Sequence, residues 1–374
     1  MKIAILTFHA AENYGAVLQA YALQEYLKST GNQVNIIDYR PEYLINGYRV
    51  IPKSSHSGIS GIIRTVIREL INFAKMGHYL FLRIKRKKSF NAFSVNYLTL
   101  TKETYSKLKK KLEFDIIFFG SDQIWSLQHN CGDTAFLGDV FVDKKTLKIA
   151  YAASAGKYSK SLKDYEVFRK NLNNFAAVGV REPTLYDSIK PYFSNRLEVV
   201  LDPVLLADEE IWNKFTEKSI INKKYVVVYE VTRNDKLMNL AKNMAKQLDA
   251  EIVNIWDGNK MRWNRYTTKT SPCDFVNIVK YASCVVTTSF HAVAFSLIFK
   301  KDFYFLSSNN DSEDRVKTIL TQLGLLSRFI TNINTEFSKI NWSECAIDEN
   351  LKKLKTKSKS FIDYSLNLGK ESRI

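Results

Sequence analysis

At 374 residues, 45% hydrophobic and 25% charged, the chain is long enough for two domains and too apolar to be disordered. The 55 Lys and Arg against 38 Asp and Glu give a formal net charge of +17. That excess favours an anionic partner, whether a phosphorylated small molecule, a nucleic acid or an anionic bilayer, unless it only reflects a Lys-rich composition. The cysteines Cys131, Cys273, Cys284 and Cys345 form no C-x-x-C pair, which argues against a zinc site or a disulfide framework and fits a reducing cytoplasm.

The opening apolar run turns polar by Glu12, so it predicts a first strand over Lys2 to Phe8 rather than a signal peptide. No apolar run approaches the roughly 20 residues that a membrane-spanning helix needs. The loop His9 to Gly15 leads into a helix over Ala16 to Lys28, closed by Gly31, which opens a βαβ unit without a G-x-G-x-x-G fingerprint. Asn13, Tyr14 and Gly15 stand at the strand's carboxyl end, as ligand groups or as turn residues. Val34 to Tyr39 is a second strand.

From Ile59 to Phe93 the period becomes helical, and Arg64, Arg68, Lys75, Arg83, Lys85, Arg86, Lys87 and Lys88 face the single acid Glu69. This basic amphipathic stretch, with Phe73, Tyr79 and Phe81, fits either an interfacial membrane segment or an insertion packed on the domain with its lysines in water. No helix-turn-helix, zinc finger or ribonucleoprotein motif is present, so no nucleic-acid partner is expected.

Polar groups then follow strands repeatedly. Phe114 to Phe119 runs into Gly120, Ser121, Asp122 and Gln123, and Lys148 to Ala153 runs into Ser154, Gly156 and Lys157. Ala176 to Val180 ends at Arg181-Glu182-Pro183, where Arg181 either clamps a carboxylate or phosphate or pairs with an acid. Leu197 to Leu201 precedes Asp202-Pro203, and a linker-like stretch extends to Lys224.

Tyr225 to Val231 opens a second α/β series, with a helix over Lys236 to Leu248, a strand over Ile252 to Trp256 and a helix over Cys273 to Tyr281. The strand Val285 to Thr287, the turn through Ser289 and the apolar helix Ala292 to Phe299 place His291 where strand becomes helix. Either His291 and Ser289 serve a ligand there, or Ser289 caps the helix and His291 fills its first turn. Phe303 to Leu306 is a further strand, Arg315 opens a helix that ends at Gly324, and a basic tail of helical period follows from Ile347. The pattern predicts an α/β protein of two Rossmann-like domains facing a cleft: residues 1–210 with a basic helical insertion at about 58–95, residues 211–345, and a helical tail at 346–374.

The stretches Asn13 to Leu23, Gly120 to Trp125, Tyr151 to Gly156, Val180 to Glu182, Asp202-Pro203 and Thr287 to His291 together resemble the polysaccharide pyruvyl transferase family, whose fold is similar to the GT-B glycosyltransferases. The resemblance implies a transferase that moves the enolpyruvyl carbons of phosphoenolpyruvate onto two hydroxyls of a lipid-linked or nucleotide-linked sugar. The product is a cyclic ketal, as in capsule or exopolysaccharide assembly. No cofactor beyond that co-substrate is expected, and no metal, since the sequence holds no metal-ligand cluster; the expected location is the cytoplasm, at the inner face of the membrane if the basic helix is interfacial. On the matching positions, His291 would transfer a proton or contact phosphate and Arg181 would clamp an anion. Substrate contacts would come from Asn13, Tyr14, Gly15, Ser121, Asp122, Gln123, Ser154, Lys157, Ser289 and Arg315. Many members carry Arg two residues before this histidine, whereas Ser289 stands there, so either Lys157, Arg315 or another basic residue replaces that cation or the donor differs. A GT-B glycosyltransferase using a nucleotide sugar, or a non-enzymatic module for a glycan or membrane surface, are the alternatives.

Overall fold

The computed structural model describes residues 1–48, 80–156, 165–231, 234–256, 267–268, 270–308, 312–343 and 345–372. Lys157 and residues 49–79, which hold most of the expected basic insertion, lie outside them. The described part of that insertion is a helix over residues 80–97.

Two parallel sheets organise the chain, as expected for facing Rossmann-like domains. The first has seven strands: β1 (Lys2–Leu6), β2 (Gln33–Tyr39), β3 (Leu100–Tyr105), β4 (Ile116–Phe119), β5 (Leu147–Ala153), β6 (Ala177–Val180) and β7 (Arg196–Val199), in the order β3-β2-β1-β4-β5-β6-β7. The second has six: β8 (Tyr225–Tyr229), β9 (Glu251–Ile255), β10 (Thr267–Thr268), β11 (Cys284–Thr287), β12 (Phe303–Leu306) and β13 (Phe329–Ile330), in the order β10-β9-β8-β11-β12-β13. Runs such as Ile-Ile-Phe-Phe in β4 and Tyr-Val-Val-Val-Tyr in β8 are buried throughout, as strands covered on both faces must be.

In each sheet the chain winds outward from its first strand, returns across it and continues on the other side. The order therefore reverses between β1 and β4, which pair Leu6 with Phe119, and between β8 and β11, which pair Tyr229 with Thr287. At such a reversal the helices after the two strands leave on opposite faces, which opens a crevice at the strands' carboxyl ends. The helix α1 (Tyr14–Ser29) begins at one crevice. The other elements at these crevices are α2 (residues 80–97), α3 (Pro183–Ile189), α4 (Pro203–Leu206), α5 (Asp235–Leu248), α6 (Pro272–Tyr281), α7 (Phe290–Ile298) and α8 (Glu313–Gln322).

The two crevices face one another because the sheets share a core. Tyr14 and Tyr21 of α1 bury fully against Phe275 of α6 and Trp212, and the Tyr14 and Phe275 rings stack at 4.8 Å. Trp212 meets Phe295 of α7 edge-on at 4.9 Å. The residues between the sheets, polar enough to read as a linker, thus supply a central interface side chain. The last helix, α9 (Cys345–Glu371), returns to the first sheet, where Phe361 is fully buried and Ser358 Oγ accepts the Leu201 N–H at 2.8 Å. Among the described residues no helix is long and apolar enough to cross a membrane.

Trp212→Ala removes the largest side chain of the shared core and should cost about 3–5 kcal/mol. Urea unfolding checks this, and a loss below about 1 kcal/mol would show that the interface repacks.

Candidate functional site

The site is built from the ends of β4, β5, β6 and β11 around one buried ion pair. Arg181 follows β6, and its Nη2 lies 2.9 Å from Oδ2 of Asp202, the residue that precedes α4. Asp202 caps α4 by accepting the Val204 N–H at 2.8 Å through Oδ1. Arg181 also donates from Nε to the Ala152 carbonyl at 3.0 Å and from Nη2 to Ser121 Oγ. Ser121 Oγ donates in turn to Asp202 Oδ2 at 3.3 Å.

Local backbone makes these contacts possible. The pairing of β5 with β6 is irregular between Ala150 and Ala153, and Ala152 there takes φ 51°, where its carbonyl meets Arg181. Gly120 takes φ 118°, and a Cβ there would collide with the Tyr151 carbonyl, so glycine is required where β4 turns into Ser121.

His291 lies in the first turn of α7 with its Nε2 toward Asp202 Oδ2 at 3.6 Å, longer than a hydrogen bond. Its Nδ1 edge lies against Gly15, where a Cβ would overlap the imidazole. The histidine of the second domain is thus gripped between an acid and a helix start of the first. Burial works against the Asp202 carboxylate, but Arg181, then His291 and the Val204 N–H, hold it well below the usual carboxylate range.

A second layer sits beside the first. Arg315 of α8 is 6% exposed, and its Nε lies 3.8 Å from Glu182 Oε1, which also accepts from Ser154 Oγ. Burial pushes the Glu182 carboxyl up, opposed by Arg315, Ser154 and Arg181. Its Oε2 has no hydrogen-bond partner among the described residues. The Phe290 ring meets both guanidiniums, its centre 5.7 Å from that of Arg181 and 5.3 Å from that of Arg315. Its π system takes both cations. Ser289 occupies the N-cap position of α7 but makes no side-chain cap bond, so its hydroxyl does not play the capping role open to it in the sequence. Thr287 Oγ1 accepts the Ser289 N–H at 2.9 Å and donates to the Tyr229 carbonyl, which fixes the turn that aims α7.

In front of this cluster is a cleft of about 310 Å³ between the domains. Of the residues expected to contact substrate, Asn13, Asp122, Gln123, Ser289 and Arg315 line it together with His291. Gly15 stands behind the His291 ring. Ser121 and Ser154 are fully buried in the supporting layers rather than in the cleft wall. Arg181 is also set back, paired with an acid, and Tyr14 is fully buried in the domain interface with its hydroxyl donating to the carbonyls of Trp256 (3.0 Å) and Thr270 (3.2 Å). Asp202 and Glu182 join Asp122 as the acids of the cluster, without having been assigned roles from sequence. Among the described residues no group of three or more His, Cys, Asp or Glu could hold a metal ion.

A further polar cluster went unread in the sequence. His9, after β1, holds Asp38 at 2.9 Å through Nε2, and Asp38 also accepts from Arg40 Nε (2.6 Å) and Thr104 Oγ1 (2.6 Å). Burial raises the Asp38 carboxyl, but these bonds outweigh it and hold the group well below its usual range. The pair anchors the β1–α1 loop to β2 and β3.

Two facing α/β domains, with cations and a histidine converging on the cleft at their junction, define the site. The polysaccharide pyruvyl transferase family model matches residues 13–310, and the chain belongs to that family. Solved structures to which the chain shows some similarity include the UDP-GlcNAc 2-epimerase of Methanocaldococcus jannaschii in complex with UDP-GlcNAc and UDP, at 12% identity and TM-score 0.45, over 96% of this chain and 99% of that one. The spinosyn forosaminyltransferase SpnP matches at 10% identity and TM-score 0.43, over 100% of both chains. The E. coli heptosyltransferase WaaC matches at 11% identity and TM-score 0.37, over 83% of this chain and 89% of that one. The curated proteins searched gave no match.

Asp202→Asn keeps the shape but leaves Arg181 without its counter-charge, which should cost about 3–5 kcal/mol at pH 7 in urea unfolding. The folded carboxyl lies below its unfolded value of about 3.9, so its stabilisation is present above that pH and lost as pH falls through the folded value. The gap between variant and wild type should therefore close only below about pH 4. A gap that stayed constant from pH 7 to pH 2 would contradict the charge assignment.

Proposed function

We propose that the protein transfers the enolpyruvyl carbons of phosphoenolpyruvate to two hydroxyls of a sugar as a cyclic ketal, in the assembly of a surface polysaccharide. The observation that carries this reading is the convergence of Arg315, His291 and the first turn of α7, which has no side-chain cap, on one cleft between the domains. Cation and free N–H groups suit the carboxylate and phosphate of a small, highly charged donor. Arg315 supplies the charge that Ser289 does not.

In the reaction, C3 of the donor takes a proton, positive charge develops at C2, and a sugar hydroxyl adds to C2 as it loses its proton. Phosphate then leaves with the electron pair of its C–O bond, and the second hydroxyl closes the ketal. One of the two hydroxyl protons balances the new methyl group and the other leaves with phosphate. His291 transfers the proton, while Asp202 on the Nε2 side stabilises the imidazolium that forms. Arg181 keeps Asp202 ionised from behind. Elsewhere in the cleft Asn13, Asp122, Gln123 and Gln128 offer hydrogen-bonding groups for sugar hydroxyls, and Tyr43 and Phe8 offer faces for the ring.

The basic helix enters this picture in reduced form. On α2 the side chains of Leu82, Arg86, Phe90 and Phe93 are buried against the domains, which leaves Phe81 (50% exposed), Ile84, Lys85 and Lys88 as the face available to an anionic membrane carrying a lipid-linked acceptor.

Thermal unfolding with phosphoenolpyruvate tests the donor. At about 100 times its Kd the ligand adds about 2.7 kcal/mol to stability. The melting temperature should rise in wild type and in His291→Gln, and the rise should be lost in Arg315→Gln. Stabilisation by a nucleotide sugar with none by phosphoenolpyruvate would favour the glycosyltransferase reading instead.

A further inference from the structure

Arg86 of α2 is 6% exposed although it belongs to a stretch dense in lysine and arginine. Its Nη1 donates to Tyr14 Oη at 2.5 Å and to the Trp256 carbonyl at 2.8 Å, and its Nη2 donates to the Glu12 carbonyl at 2.7 Å. The guanidinium carbon lies 4.6 Å from the centre of the Tyr14 ring and 4.5 Å from that of Phe90. One planar fork therefore joins three separate pieces of chain: α2, the loop and first residue of α1, and the end of β9 in the second domain. An apolar side chain would fill the same space without the desolvation cost of a cation, and a lysine lacks the fork needed for all three acceptors.

What the fork fixes is informative. Glu12 and Tyr14 flank Asn13, which caps α1 by accepting the Ala16 N–H at 3.2 Å. Gly15 follows, with its Cα against the Nδ1 edge of His291. Trp256, on the other side of the fork, belongs to the domain that carries His291. Arg86 thus ties the α1 start to the domain that carries the imidazole from outside the cleft, alongside the direct bonds of the Tyr14 hydroxyl to Trp256 and Thr270.

We propose that Arg86 is a positioning residue for His291, holding the start of α1 against the imidazole across the domain interface. It touches neither substrate, and its role rests on the reading of His291 as the proton-transfer group. Its loss lets the α1 start and the second domain separate, which frees the ring from the orientation that faces the reacting carbon. Arg315 and the α7 turn, which hold the donor, stay as they are.

The test compares wild type with Arg86→Lys and with Tyr14→Phe, which removes the shared hydroxyl and keeps the ring. Four quantities are read: phosphate release from phosphoenolpyruvate with a panel of nucleotide sugars as acceptors, phosphoenolpyruvate affinity by calorimetry, melting temperature, and the His291 ring signal by NMR, assigned through its loss in His291→Gln. Turnover should fall about tenfold to a hundredfold in both variants while affinity stays within about twofold, and the His291 signal should move. Folded variants with an unmoved His291 signal would overturn the proposal, whether turnover is kept or falls together with affinity. If Arg86→Lys does not fold, Tyr14→Phe carries the comparison. If wild type releases no phosphate from phosphoenolpyruvate, the transfer reading falls, and the NMR comparison still decides whether Arg86 positions the ring.

Discussion

The Arg181–Asp202 ion pair is buried on both sides, with side chains 2% and 0% exposed, and its surroundings have to offset the cost of taking two charges out of water. They do so from several elements at once: Ser121 after β4, the Ala152 carbonyl at the irregular end of β5, the Val204 N–H of α4 and the imidazole of His291 on α7. A pair this dependent on its neighbours cannot tolerate independent movement of any of them. The ends of three strands in one domain and a helix of the other are therefore fixed relative to one another.

Topology explains why those groups meet. Each sheet reverses its strand order once, and each reversal opens a crevice with a helix start at its edge. The two crevices are pressed together by an aromatic core that runs from Tyr14 and Tyr21 through Trp212 to Phe275 and Phe295. His291 reaches Asp202 across this junction only because position 15 has no side chain. The cleft in front is left with Arg315 and His291 at one part of its lining and the hydrogen-bonding side chains of Asn13, Asp122, Gln123 and Gln128 elsewhere, a set that suits a charged donor and a sugar acceptor.

The strands were legible because parallel strands covered on both faces read as apolar runs, and a polar cluster after such a run marks a crevice. Asn13, Asp122, Gln123, Ser289 and His291 were found this way and do line the cleft, as does Arg315, which was offered as a replacement for the arginine missing at Ser289. The edge strand β3, Leu-Thr-Lys-Glu-Thr-Tyr, was not, since its exposed polar side chains carry no burial signal. Tyr14 and Arg181 stand at crevice positions in the sequence, yet their side chains turn away into an interface and an ion pair, which only tertiary packing decides. Asp202 was visible as part of a motif, but nothing local shows that it answers Arg181 and His291. Arg86 was hidden most deeply, because in a run of basic residues the pattern gives no sign of which one is buried.

The central claim is that the cleft protonates an enolpyruvyl donor and joins it to a sugar. The most direct measurement is mass spectrometry of the products formed in D₂O from phosphoenolpyruvate and lipid-linked or nucleotide-linked sugars. The account predicts a sugar ketal whose new methyl group carries one deuterium, with one phosphate released per ketal. Intact phosphoenolpyruvate, together with transfer of the sugar from a nucleotide donor, would contradict it.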